Sequence, residues 1–168
     1  MKTSYAKMLK AHLTQEFPNL FPQFSPINNE YHSKYESLFK SQAAEKNFYF
    51  SFQNHRQYNA FVVECAISNE GTWPAYTMPD FDMTGPPKAI SRFRIQNLFP
   101  SQQKRNLWWV LDEALFSTID DPNLETVTKL PGIPQRIEFQ VQNCLSQIDT
   151  FVLPFLRDKY NFDALPSS

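Results

Sequence analysis

The stretch Asn47–Ser68, NFYFSFQNHRQYNAFVVECAIS, decides the fold. Successive side chains of a strand point to opposite faces, so Phe48, Phe50 and Phe52 share one side and Tyr49, Ser51 and Gln53 the other. After the polar NHRQ, the alternation resumes. Phe61, Val63, Cys65 and Ile67 form one row, and Val62, Glu64 and Ala66 the opposite one. Two alternating runs joined by a short polar stretch predict an antiparallel hairpin. Its loop is longer than two residues, which leaves the register open.

Downstream, AISRFRIQNLF predicts another strand, with Phe93 and Ile95 facing the core and Arg92 and Arg94 facing away. The apolar LWWVLDEALF fits a last strand or a short helix. If it is extended, Trp108 and Trp109 must face opposite ways. Upstream, residues 31–46 admit two readings. Tyr31, Tyr35, Leu38 and Phe39 fit a helix face; alternatively Ser37–Lys40 is a strand followed by a turn through Ala43–Lys46.

Helices flank these strands. Tyr5, Met8, Leu9, Leu13 and Phe17 recur at helical spacing, with Thr3 or Ser4 as caps and an end expected before Pro18. Residues 18–30 hold three prolines and read as a rigid extended crossing. DDPNLETVTKL predicts a short helix capped by Asp121, with Pro122 at its first position. The strongest stripe is Ile137, Val141, Cys144, Leu145, Ile148, Val152 and Phe155, starting at Pro134 and ended or kinked by Pro154. Residues 161–168 read as a frayed tail. A helix, then strands, then helices means α+β. The expected body is one domain over residues 1–168, a curved antiparallel β-sheet with the N- and C-terminal helices packed on one face.

Composition narrows the chemistry. The 168 residues include 16 Phe, 13 Pro and only 3 Gly, which leaves little material for phosphate-cradling loops. A net charge of −1 predicts no broad positive field and no general nucleic-acid binding. The N-terminal residues lack the pattern of a secretion signal, and no run is long enough to span a bilayer, so a cytoplasmic chain with no membrane partner is expected. Cys65 and Cys144 both fall on core stripes and are expected to be free thiols. His12, His32 and His55 have no metal-ligand spacing, and no catalytic elbow or nucleotide loop is present. No cofactor, metal or catalytic residue is expected. A His55–Cys65 pair would need Cys65 to leave the core. The carboxylate groups Asp80 with Asp82, Asp112 with Glu113, and Asp120 with Asp121 read as solvated loop acids or caps.

Aromatic and arginine side chains are over-represented in interface centres. Trp73 and Tyr76 in the proline-rich loop, Asp80 and Asp82 beside them, and Arg92 and Arg94 on the outward strand face are therefore the candidate partner-binding residues. FYFSFQ (48–53), FVVECAIS (61–68), RFRIQNLFP (92–100) leading to the Trp pair, and LPFL (153–156) together resemble a bacterial family of unknown function. The resemblance spans Ser37–Leu156 and favours a strand at Ser37–Lys40. It implies a small α+β protein. Some family members lie beside polymorphic or contact-dependent toxins, in the position of immunity proteins. The AYTMPDFDMTGPPK segment (75–88) and the proline-rich crossing have no counterpart there.

The resulting expectation is a non-catalytic immunity protein that occludes a toxin domain, as monomer or homodimer. The alternatives are a hydrolase built on carboxylates around Asp112–Asp121 and a homodimeric structural protein.

Overall fold

The computed structural model describes residues 2–28, 34–43, 45–75, 85–87, 90–100, 108–112, 121 and 123–162, with residues 2 and 3 described in backbone only. Its elements in chain order are α1 (Lys2–Leu20), β1 (Ser25–Ile27), β2 (Ser37–Ala43), β3 (Lys46–Asn54), β4 (Ala60–Ser68), β5 (Ile90–Arg94), a 3-10 turn (Ile95–Leu98), β6 (Trp109–Val110), α2 (Leu124–Val127), α3 (Ile133–Gln147), a π turn (Ile148–Val152) and α4 (Leu153–Tyr160). The hairpin forms as the alternation requires. Phe48 pairs with Ile67, Phe50 with Cys65 and Phe52 with Val63, all on one face. The strands run antiparallel in the order β1-β2-β3-β4-β5, and β6 pairs with β4 beside β5. The strand reading of Ser37–Lys40 holds and extends to Ala43.

Both terminal helices cover the phenylalanine face. Leu9, Leu13 and Phe17 of α1, and Ile137, Val141, Cys144 and Leu145 of α3, share one core with Phe39, Phe48, Phe50, Phe52, Phe61 and Phe93. Phe17 is the hub. Its ring lies 4.4 Å from Phe39 in a stack and within 5.6 Å of Phe21, Phe24, Phe50 and Phe52. Edge-on and stacked pairs of this kind add to the area term.

That hub corrects the expected end of α1. The helix runs through Pro18 to Leu20, so the crossing of 18–30 starts as helix and continues into β1. Proline removes one hydrogen bond and strains the preceding turn, but a break there would pull Phe17 and Phe21 off the sheet. Phe21 N–H still bonds to Phe17 O at 2.8 Å. The start differs as well: Thr3 and Ser4 lie within α1 and do not cap it.

Pro154 neither ends nor sharply breaks the last helix. The chain widens into the π turn just before it and continues as α4. The wider turn supplies room for a residue that cannot donate a backbone hydrogen bond. Asn161 then closes α4 in the left-handed conformation (φ 54°), with its N–H bonded to Arg157 O. Phe162, assigned to the frayed tail, is buried and packs on Phe24 and Phe48; residues 163–168 lie outside the described part. Asp121 does not cap α2 directly. Asn123 precedes the helix, and Asp121 holds the Asn123 N–H from two residues upstream. Pro122 is outside the described residues.

Both cysteines are free and fully buried. Burial raises each thiol well above its ordinary value, which removes the His55–Cys65 pair as a nucleophile. Among the described residues no helix is long and apolar enough to cross a membrane.

Candidate functional surface

The sheet's second face is not the solvated face that alternation suggests. Every residue of β4 is buried, on both sides. Leu38, Tyr49, Ala66 and Trp73 form a small second cluster. Beside it lies a polar layer. Glu64 Oε1 accepts from Arg92 Nη2 at 2.8 Å and from Gln53 Nε2 at 2.5 Å, and Glu64 Oε2 accepts from Arg92 Nε at 3.3 Å. Arg92 Nη1 donates to Pro74 O at 2.9 Å, and its guanidinium lies 4.6 Å from the Trp73 ring centroid. The register puts Arg92 opposite Ala66, one row from Glu64, so the sheet itself aims the pair.

Two of the candidate contacts meet in this layer. Trp73 is 5% exposed, and Arg92 spends its donors on Glu64 and on the loop carbonyl. Together they pin the start of the proline-rich loop to the sheet. Sequence spacing marks Arg92 as outward from the main core; it cannot reveal that Glu64, 28 residues earlier, waits beside it. Tyr49 stacks edge-on against Trp73 at 5.9 Å, and its hydroxyl is buried with no hydrogen-bond partner among the described residues. Burial pushes its pKa up to about 12. Tyr76, Asp80 and Asp82 lie outside the described residues.

Arg94 leads elsewhere. Its guanidinium lies 5.8 Å from the Trp108 ring, Trp108 meets His55 edge-on at 4.8 Å, and His55 lies 5.4 Å from Tyr58. Tyr58 is 38% exposed. The Trp pair splits as alternation demands: Trp109 stacks on Phe61 in the core, and Trp108 takes the other face. His55 Nδ1 accepts the N–H groups of Gln57 and Tyr58, at 3.1 and 3.3 Å, which shapes the β3–β4 turn and holds Tyr58 beside it. The sequence reading singled out Arg94 and the Trp pair but missed His55 and Tyr58 as their neighbours. The signal was only the shortness of the hairpin loop.

Next to this aromatic rim is a notch of ≈ 10 Å³, bounded by Tyr5, Leu9, Asn54, Tyr58, Asn59 and Leu111. It has room for about one water molecule. Asn59 Oδ1, buried beside it, has no partner among the described residues.

Of the carboxylates of the hydrolase alternative, Asp112 and Asp121 are among the described residues. Asp121 is buried and its oxygens accept from Val110 N–H, Asn123 N–H and Gln140 Nε2. These donors tie the carboxyl group to β6, to the start of α2 and to α3. Asp112 is half-buried, and Glu113 and Asp120 are outside the described residues. Among the described residues, no group of three or more His, Cys, Asp or Glu side chains could hold a metal ion.

The class these features define is an α+β protein with an open antiparallel sheet, helices on one face and an aromatic–arginine rim at one end. No family model, curated protein or solved structure matches the chain.

Proposed function

We propose that the protein is a non-catalytic binding protein of the immunity class, which blocks a toxin domain by covering its active site. The observation that supports this reading is the rim Arg94–Trp108–His55–Tyr58, a run of ring and guanidinium contacts built on rigid strands and a tight turn. Tryptophan, tyrosine and arginine dominate interface hot spots, and the two aromatics offer large contact area at little entropic cost. Steric occlusion asks for a stiff surface and needs no reacting group. Tyr76, Asp80 and Asp82 remain proposed contacts.

The test is co-expression with the product of the adjacent reading frame, followed by affinity measurement. The reading expects a stable complex that loses toxin activity. Trp108→Ala and Arg94→Ala should each weaken it by about 1–4 kcal/mol, roughly fivefold to several hundredfold, with the circular dichroism spectrum unchanged. Failure to form a complex rejects the class. A complex indifferent to both substitutions, but weakened by Asp80→Asn with Asp82→Asn, moves the contact surface to the proline-rich loop.

A further inference from the structure

β5 ends at Arg94, and β6 pairs with the same strand β4 further along, at Ala60 and Phe61. Arg94 therefore stands at the junction of two strands that share one partner. The register places it directly opposite Glu64, with Arg92 one row away, opposite Ala66. Directly opposed and diagonal side chains of an antiparallel pair are neighbours, so one glutamate faces two arginines. It serves one of them. Arg92 takes Glu64 Oε1 through Nη2 and Oε2 through Nε, and Gln53 takes Oε1 as well. Arg94 turns instead toward β6, where its guanidinium lies 5.8 Å from the Trp108 ring centroid. Among the described residues it has no hydrogen-bond or ion-pair partner.

Arg94 and Trp108 are both half-buried. A cation in that setting has given up part of its water, and an aromatic ring returns less than an anion would. The guanidinium carries its donors in a planar fork that fits a carboxylate with two parallel bonds. Glu64 against Arg92 is that arrangement met inside the molecule; Arg94 presents the same fork at the rim. The ring beside it is held in place by His55, which meets Trp108 edge-on at 4.8 Å and ties its own turn through Nδ1. The surrounding charges select the kind of anion. Arg92 neutralises Glu64, and Arg94 and Arg56 of the adjoining turn stand against Asp112 after β6 and Glu36, which accepts from the Asn54 N–H. A phosphate backbone needs several cations in a row and would meet these carboxylates. A single carboxylate needs one guanidinium.

We propose that Arg94 is the docking point for a carboxylate side chain of a protein partner, gripped by the guanidinium where it lies beside the Trp108 ring. That the partner is a toxin domain rests on the binding reading above; the carboxylate site itself does not. Closure of an interface over the rim would remove water from the pair and strengthen it. Recognition uses the plane of the fork as well as its charge, so lysine, a point charge, is a poor substitute.

The experiment uses the wild-type chain and acetate as the probe. Side-chain nitrogen NMR follows the Nε–H groups of Arg92 and Arg94 and the Trp108 indole N–H while acetate replaces chloride at constant ionic strength. Arg94 and Trp108 should move together along one saturating curve, while Arg92, already held by Glu64, stays in place. Arg94→Met should abolish the Trp108 movement, and Arg94→Lys should raise its midpoint several-fold. Arg92 and Arg94 drifting alike, or neither moving, overturns the site. A uridine oligonucleotide added in place of acetate should leave both signals unmoved. Saturation by it, lost in Arg94→Met, assigns the rim to single-stranded nucleic acid and overturns the carboxylate docking. Where a variant does not fold, the contrast between Arg92 and Arg94 in the wild type decides. Toxin capture with the Arg94 signal unmoved removes the docking point and leaves the binding reading; acetate saturation without capture does the reverse.

Discussion

At the scale of single residues, the Glu64–Arg92 pair is the most consequential polar contact on the second face. Glu64 is 3% exposed in its side chain and Arg92 16%. A pair this buried owes much of its charge–charge attraction to desolvation already suffered, so breaking it from one side costs more than the pair is worth. Arg92→Met removes the cation from Glu64 and also strips it from the Trp73 ring. The expected loss is about 3–5 kcal/mol. Combining it with Glu64→Gln removes the stranded charge and should recover more than half of that loss. Urea unfolding of the two single variants and the double variant reads the coupling. Additive losses would mean that the two side chains do not act as a pair.

At the scale of elements, α1 is docked through one side chain more than any other. Phe17 is fully buried and touches rings from β2, β3 and the turn between α1 and β1. Phe17→Ala should cost about 3–5 kcal/mol, with the urea midpoint falling and the m-value unchanged. A loss under about 1 kcal/mol would mean that α1 is held by its other contacts and that Phe17 is peripheral. The same residue shows where sequence reading stops. The spacing Tyr5–Phe17 and the alternation of β3 and β4 were legible because each encodes a local period. The passage of α1 through Pro18 was not, because the helix there is kept by a sheet 20 to 35 residues further along the chain. The π turn before Pro154 was not legible for the same reason: it is a response to packing, and no local period announces it. Of the candidate surface, Arg94 and the split Trp pair could be read from strand parity. The packing of Trp73 under Arg92 was not legible, since an arginine outside the main core looks identical whether it meets solvent or a glutamate two strand positions away.

At the scale of the whole molecule, β4 ties the two clusters into one cooperative unit. Val63, Cys65 and Ile67 belong to the helix-covered core, while Ala66 belongs to the cluster with Tyr49 and Trp73, and Glu64 holds Arg92 on that same face. Alternate residues of one strand thus serve opposite faces, and neither face can lose its order without removing the strand from the other. Tryptophan reports on each side: Trp109 stacks on Phe61 at 5.4 Å in the main core, and Trp73 lies under Arg92 on the second face. With Trp108 replaced by Phe, Trp73→Phe leaves Trp109 as the only emitter, and Trp109→Phe leaves Trp73. Each variant will have its own midpoint, since Trp109 is the larger loss from the core. Within each variant, however, fluorescence and far-ultraviolet circular dichroism should trace a single urea transition, as a two-state domain requires. Trp73 emission changing at lower urea than the dichroism would show that the second face melts as a separate layer. The loop it anchors, with the proposed contacts Tyr76, Asp80 and Asp82, would then be a detachable flap and not part of the rigid surface that occlusion needs.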